Sequence, residues 1–161
     1  MKFLLALLIA LISVKSAHSE ESIIFHGKKL YIGEEKNQVL NKLDNICNFN
    51  TTPDGIYLCK NNKGEYLGNI QFIYNKTISI SVNQYVAHEH DLSQGIKKYI
   101  ELLSSNSIDL GKIETTTHHL PAGTIETLSI TTGNRSYSLQ IVETKEKTIV
   151  YIKEHLFGNL K

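Results

Sequence analysis

The chain contains no tryptophan, two prolines and only two cysteines, and it carries no large excess of charge of either sign. Its 17 basic residues are balanced by 16 acidic ones, so the sequence shows no basic footprint for nucleic acid and no cationic stretch for an anionic membrane surface. A catalytic C-x-x-C pair and a G-x-S-x-G nucleophile motif are also absent. These absences argue against a nucleic-acid partner and leave no recognisable catalytic motif, so no catalytic residue and no cofactor is predicted.

The only long apolar run, Phe3–Val14, directly follows Lys2 and precedes small residues at the spacing that signal peptidase reads. This order is typical of a secretory signal peptide, and we predict cleavage after Ser19. The run is too short to cross a bilayer core of about 30 Å, so no stable membrane anchor is expected after cleavage. An uncleaved N-terminal anchor is the alternative. Removal of residues 1–19 leaves residues 20–161, which are predicted to form a single secreted or periplasmic domain.

The two cysteines, Cys47 and Cys59, are predicted to form a disulfide, because an even pair in an oxidising compartment is most simply a bridge. Free thiols or metal ligands are the alternative, although a lone pair at this spacing matches no zinc pattern. Neither cysteine lies at the cleavage site, so a lipid-bearing cysteine of the bacterial lipoprotein type is not indicated.

Periodicity predicts an α+β fold: an antiparallel sheet of two three-stranded meanders with two helices packed on one face. Each predicted helix precedes a predicted meander, which favours a loose helix–meander duplication at the level of topology, since no residue-level repeat is present. The second helix is expected to start near Asp91 or Ser93. Its predicted buried stripe consists of Ile96, Tyr99, Ile100 and Leu103.

Histidines form the densest group of ligand-type side chains, at His88 and His90 and again at His118 and His119. Imidazoles from the two positions could converge on one zinc or copper ion, with a nearby carboxylate orienting them. On a strand, His88 and His90 would lie on the same side, as chelation requires, whereas the adjacent His118 and His119 would point apart. The alternative is a polar loop that merely contains histidines.

The polar positions of the predicted strands carry hydroxyl and amide groups in place of alternating charges. A neutral face of this kind can hydrogen-bond a protein or a glycan without a large desolvation penalty, although a plain solvated sheet face would look the same. The predicted binding face consists of Thr77, Ser79, Ser81, Asn83, Ser136, Ser138 and Gln140.

Taken together, these features predict a secreted or periplasmic protein that acts by binding a protein partner in the envelope or extracellular space, not by catalysis. One alternative is a histidine-based metal-binding protein or metallohydrolase, and another is a carrier of a small apolar ligand held between the helices and the sheet. Asn50, Asn75 and Asn134 each begin an N-x-S/T acceptor, which would be glycosylated only in a eukaryotic secretory pathway. The sequence leaves the source, the partner and the oligomeric state open.

Overall fold

Residues with β propensity and period-two alternation dominate the computed structural model, which describes residues 21–88, 92–105 and 111–158. The predicted signal peptide, residues 1–19, lies outside the described residues. The helices are α1 (Lys36–Leu43) and α2 (Leu92–Ser105). The strands are β1 (Ser22–Phe25), β2 (Lys28–Tyr31), β3 (Asn48–Thr51), β4 (Ile56–Lys60), β5 (Tyr66–Ile73), β6 (Lys76–His88), β7 (Lys112–Leu120), β8 (Gly123–Thr132), β9 (Arg135–Thr144) and β10 (Thr148–Phe157).

The predicted α+β class with two three-stranded meanders is wrong. The protein is mostly antiparallel β, with 60% strand and 16% helix, and each predicted meander is part of a four-stranded one. The two four-stranded units join through β6 and β10 into one eight-stranded sheet with the order β3-β4-β5-β6-β10-β9-β8-β7. The hairpin β1-β2 forms a separate two-stranded sheet.

The two strands that the predicted meanders did not include are the outer edges of the large sheet, β3 and β7. β3 has the sequence Asn-Phe-Asn-Thr, and three of its four residues are exposed. All nine residues of β7 are exposed. Because neither strand buries a regular apolar face, neither carries the alternation that identifies a strand in sequence. Backbone hydrogen bonds to the next strand of the sheet make these segments strands, and the periodicity of apolar residues does not reveal those bonds.

Both helices cover the same face of the sheet, which we call the covered face. The residues at 150, 152, 154 and 156 of β10 share this face, because side chains two apart on a strand point the same way. Leu156 belongs to the core under α1, and Ile152 belongs to the core under α2. The first core also contains the inward residues of the β1-β2 hairpin, so the hairpin and both helices lie on one side.

The two cores differ in size. The core under α1 contains the buried residues Ile23, Phe25, Leu30, Val39, Leu43, Cys47, Cys59, Ile70, Ile80, Val82 and Leu156. Among the described residues, the core under α2 contains Tyr99, Tyr137 and Ile152, bordered by half-buried tyrosine and leucine side chains. The hydroxyl of Tyr99 donates a hydrogen bond to the Tyr137 carbonyl at 3.1 Å, which fixes α2 on the sheet.

A buried charge pair separates the two cores on the covered face. Glu154 is 5% exposed and pairs with the Arg135 guanidinium, and Gln84 Nε2 donates to the second carboxylate oxygen at 2.7 Å. Arg135 also donates to the Ser22 carbonyl on β1. The side chains thus tie three strands of the sheet to the hairpin, and both charged groups of this pair have partners, as a low-dielectric site requires.

The predicted disulfide between Cys47 and Cys59 is confirmed, with the two Cα atoms 4.9 Å apart. Cys47 lies between the turn that follows α1 and the start of β3, and its amide donates to the Leu43 carbonyl at 2.8 Å. Cys59 lies in β4 and is fully buried. The bridge therefore joins the end of α1 to the second strand of the first meander and closes the edge of the larger core.

Candidate functional site: an open sheet face and an adjacent cleft

The face of the sheet opposite the helices is open: no described helix or hairpin packs on it. We call it the open face. On β10 it carries Tyr151, Lys153 and His155, which alternate with the buried residues of the covered face. The open face is therefore a broad surface where the side chains of several strands meet solvent without a second layer.

Hydroxyl and amide side chains cross the open face in rows set by the strand register. Next to His155 the row continues through Ser136 on β9 and Thr131 on β8. The second row runs from Lys153 to Ser138, Ser129 and Glu114, and the third runs from Tyr151 to Gln140, Thr127 and Thr116. Neutral polar groups thus occupy β9 and β8, and the charged side chains of these rows lie at their ends.

The predicted binding residues divide into two groups by accessibility. Ser136, Ser138 and Gln140 are half-buried on β9 and reach solvent. Ser79 and Ser81 on β6 are 6% and 7% exposed, because taller side chains on neighbouring strands shelter them. The accessible part of the open face therefore lies on β9 and the strands beyond it, and the β6 residues form its floor.

Thr77 and Asn83, the remaining predicted binding residues, each donate a hydrogen bond within the chain. The Thr77 hydroxyl donates to the Glu34 carbonyl at 2.9 Å, and a register shift after Gln71 interrupts the alternation between Thr77 and Ser79. Asn83 is 4% exposed, and its Nδ2 donates to the Tyr66 carbonyl at 2.8 Å. Neither side chain faces a partner directly across the open face.

A serine and a histidine that are far apart in sequence meet on the open face, a contact that no sequence pattern predicts. Ser79 Oγ lies 2.8 Å from His155 Nε2, and the imidazole stacks edge-to-face with Phe157. Burial lowers the pKa of His155 below its usual 6.5. Catalysis needs an accessible nucleophile and a group that orients the base. Ser79 is buried and no described carboxylate contacts His155, so the pair serves to hold β6 to β10.

Lys153 lies at the centre of the open face. Its Nζ donates to Gln140 Oε1 at 2.6 Å and lies 5.5 Å from the centre of the Tyr151 ring. Partial burial lowers the pKa of this ammonium from its usual 10.5. Held between an amide and an aromatic ring, the cation occupies one fixed place, where a partner carboxylate or carbonyl could accept from it.

The structure does not bring the histidines of the metal hypothesis together. His88 and His118 belong to one cross-strand row, but three strands lie between β6 and β7. Four inter-strand spacings amount to about 19 Å, too far for one coordination sphere. His118 and His119 are adjacent on β7 and point to opposite faces. His90 lies outside the described residues, and no cluster of metal-ligand side chains occurs within the described ones.

A cleft of about 490 Å³ opens beside the floor of the open face, at the start of β5. Its walls combine three tyrosines, aliphatic side chains and a few polar groups, and no helix residue lines it. The carrier hypothesis places a ligand between the helices and the sheet, and this cleft does not lie there. The residues that line the cleft include Glu65, Tyr66, Leu67, Asn83, Val86 and Ile149.

The three acceptor-type asparagines differ in their surroundings. Asn50 is exposed on the edge strand β3, and Asn75 is exposed in the two-residue turn between β5 and β6. The Nδ2 of Asn134 donates to the Phe157 carbonyl at 2.9 Å and so already has a partner inside the fold. The first two could carry a glycan without losing a contact.

Sequence reasoning missed the β10 contribution to this region. The alternation predicts a strand over residues 148–154 and a loose tail from Phe157, so His155 was not assigned to a strand, whereas β10 runs to Phe157. The continuing alternation of apolar residues at 150, 152 and 156 was the signal that could have extended the strand.

No family model, no curated protein and no solved structure matches the chain.

Proposed function

We propose that the protein is secreted or periplasmic and works by binding a protein partner through the open face of β7–β10. The single observation that supports this most is the contrast between the two sides of the sheet. One side carries both helices and the hairpin, and the other presents neutral polar rows with one fixed cation, Lys153.

Hydroxyl and amide groups favour recognition over catalysis. They donate and accept without the desolvation cost of a charged group, so a partner can cover them and replace their water contacts. Tyr151 supplies an aromatic anchor of the kind that binding surfaces favour, and Lys153 adds one cation that the fold holds in place. A catalytic constellation would instead require a titratable group aimed into an accessible cavity, and the Ser79–His155 pair does not offer one.

Export supports a partner outside the cytoplasm. The disulfide is compatible with an extracellular or periplasmic location, and none of the helices that the structure describes is long and apolar enough to cross a membrane. The signal-peptide pattern of residues 1–19 gives the route. Mass spectrometry of secreted material should find Glu20 at the N-terminus.

Affinity capture from the extracytoplasmic fraction of the native host tests the binding function. The bait is the mature chain, compared with the double variant Ser136→Arg/Ser138→Arg. Two long cations on neighbouring open-face positions block close approach of a partner, so we expect a protein captured by the wild type to be lost with the variant.

The matched control is Ser93→Arg, on the exposed surface of α2 on the other side of the sheet. It should capture the same protein as the wild type, and all three baits should have the same far-ultraviolet circular dichroism. Capture that is equal for the wild type and the double variant would exclude the open face. Hydrolytic turnover without any captured protein would overturn the binding function.

A further inference from the structure

Strand β6 continues beyond its partner on one side. The last described pair between β5 and β6 is Gly68 with Val82. The stretch 83–88 of β6 pairs with β10 on the other side, and no described residue pairs with it on the β5 side. Six residues of a strand span about 20 Å, so a sizeable length of backbone edge is open in the middle of the sheet.

Asn83 marks the point where the β5–β6 ladder stops. Its Nδ2 donates to the Tyr66 carbonyl, so a side-chain amide takes an acceptor at the end of β5 that would otherwise need another donor. This bond also fixes the orientation of the amide, because the reverse orientation would place two oxygen atoms together. The atom that faces the other way is therefore Asn83 Oδ1.

Asn83 Oδ1 is buried and accepts no hydrogen bond from any described group. The residue is 4% exposed, and it lines the cleft of about 490 Å³ described above. A buried acceptor without a donor costs about 1–3 kcal/mol, which a ligand with an N–H or O–H group would recover on binding. The acceptor, the open backbone edge and the cleft occur at the same place.

The chemistry of the walls restricts the ligand further. Leu67, Val86 and Ile149 with the tyrosine rings favour an apolar side chain. Among the described lining residues, Glu65 is the only carboxylate, His26 is the only imidazole, and none is a lysine or an arginine. The site therefore favours a neutral or cationic segment over an acidic one.

We propose that the cleft binds an extended segment of the partner polypeptide, which adds to β6 as a strand and donates an N–H to Asn83 Oδ1. Only an extended backbone presents the alternating donors and acceptors that an open strand edge requires, while an alternate side chain enters the apolar part of the cleft. The inference rests on the proposed function for the source of the segment, a protein partner, and adds a second contact at the border of the open face.

The test uses acetylated, amidated synthetic peptides that alternate valine with threonine and carry one lysine and no acid. Backbone amide shifts of the mature protein are followed by nuclear magnetic resonance during titration. Shifts should concentrate at 83–88 of β6 and at Tyr66 and Leu67. N-methylation of every second peptide nitrogen should abolish binding in one phase and be tolerated in the other, because alternate N–H groups of a strand point to the same side.

A protein variant complements the peptides. Val86→Lys places a charged, flexible chain on the open edge, where lysine discourages strand addition, and Val86 is 41% exposed, so the fold tolerates it. Binding should weaken at least about tenfold. The matched control is Ile73→Lys, at the other end of β5, where the isoleucine is 43% exposed. It should bind as the wild type does.

Three results would overturn the inference: no shifts with any peptide, equal effects of both N-methylation phases, or shifts centred outside the cleft. These outcomes are separable from the capture experiment. If partner capture depends on Ser136 and Ser138 but the peptides do not bind, the cleft is excluded as a binding site and the open face is supported. If the peptides bind but the double variant does not affect capture, the open face is excluded and the cleft is supported.

Discussion

The two faces of β10 show how one strand serves two purposes. On the covered face, Val150, Ile152 and Leu156 are each 1% exposed, and Ile152 and Leu156 belong to the cores under α2 and α1 respectively. On the open face, Tyr151, Lys153 and His155 are only half-buried and touch polar neighbours. Substitutions on one face should therefore change stability, and substitutions on the other should change binding with little effect on stability.

The largest expected effect is at the charge pair of the covered face. Glu154→Ala leaves the Arg135 guanidinium without its carboxylate in a mostly buried place, and breaking such a pair costs about 3–5 kcal/mol. Because the Arg135 side chain is 25% exposed, we expect Glu154→Ala to lower the free energy of unfolding by about 3 kcal/mol, the lower end of that range. Urea unfolding of the two proteins measures the difference.

The double variant Glu154→Leu/Arg135→Met is the control for this prediction. Apolar side chains of similar size leave no unpaired charge, so most of the lost stability should return. A single variant as stable as the wild type would show that the pair lies in a wetter place than the covered face implies.

A smaller effect is expected at the contact that holds α2. Tyr99→Phe removes the hydroxyl that donates to the Tyr137 carbonyl, which should cost about 1 kcal/mol in thermal or urea unfolding. Burial raises the pKa of Tyr99 from its usual 10.0 to about 12, so in an ultraviolet titration this tyrosine should ionise well above pH 10. A Tyr99 that ionises near its usual value would indicate that α2 is not docked as described.

The free energy of unfolding should depend weakly on pH through His155 on the open face. The folded-state pKa is lowered, so the unfolded chain takes up a proton first as pH falls below 6.5. The stability that neutral His155 contributes is therefore fully present above pH 6.5, and it is lost progressively as the pH falls toward the lowered pKa of the folded state. His155→Gln, whose amide can still bond Ser79, should show a flatter fall in the urea midpoint between about pH 7 and pH 5. Parallel curves for the two proteins would contradict this.

The smallest expected effect is at the accessible serines. Ser136→Ala and Ser138→Ala remove hydroxyls that already reach solvent, so the free energy of unfolding should change by less than about 0.5 kcal/mol. Equilibrium unfolding of each single variant checks this. A loss above about 1 kcal/mol would mean that a further layer covers this side of the sheet.

The interior of the sheet was more predictable from sequence than its margins. The alternation of Tyr137, Leu139 and Ile141, like that of Ile78, Ile80 and Val82, correctly indicated strands of an antiparallel sheet. The outer strands β3 and β7 bury too little for periodicity to place them in the meanders, so each meander was predicted one strand short. Edge strands depend on a neighbour that a single segment of sequence does not reveal.

The sequence also did not predict which side of α2 faces the sheet or which residues its side chains contact. The predicted stripe of α2 placed Ile96 and Ile100 in the core, and this is wrong, since they are 42% and 56% exposed. The helix instead contacts the second core through Tyr99, Leu102 and Leu103. Helical spacing allows both stripes, and the Tyr99 hydrogen bond to the sheet is a tertiary contact that selects between them.

The same limit applies to the candidate site. The polar alternation on β9 identified Ser136, Ser138 and Gln140 as one row, which the register confirms as neighbours on one face. It could not show that Thr77 bonds the Glu34 carbonyl, because a register shift within β6 is a property of the paired strands. The open edge of β6 likewise emerges only from the different lengths of β5 and β6.

Site-specific photocross-linking tests the central claim, that the open face is the surface that meets the partner, most directly. A photoreactive amino acid replaces Ser138 in one protein and the exposed Lys97 of α2 in another. After irradiation in the native extracytoplasmic fraction, the account predicts one discrete cross-linked protein from position 138 and none from position 97. Cross-links from position 97 alone would contradict it.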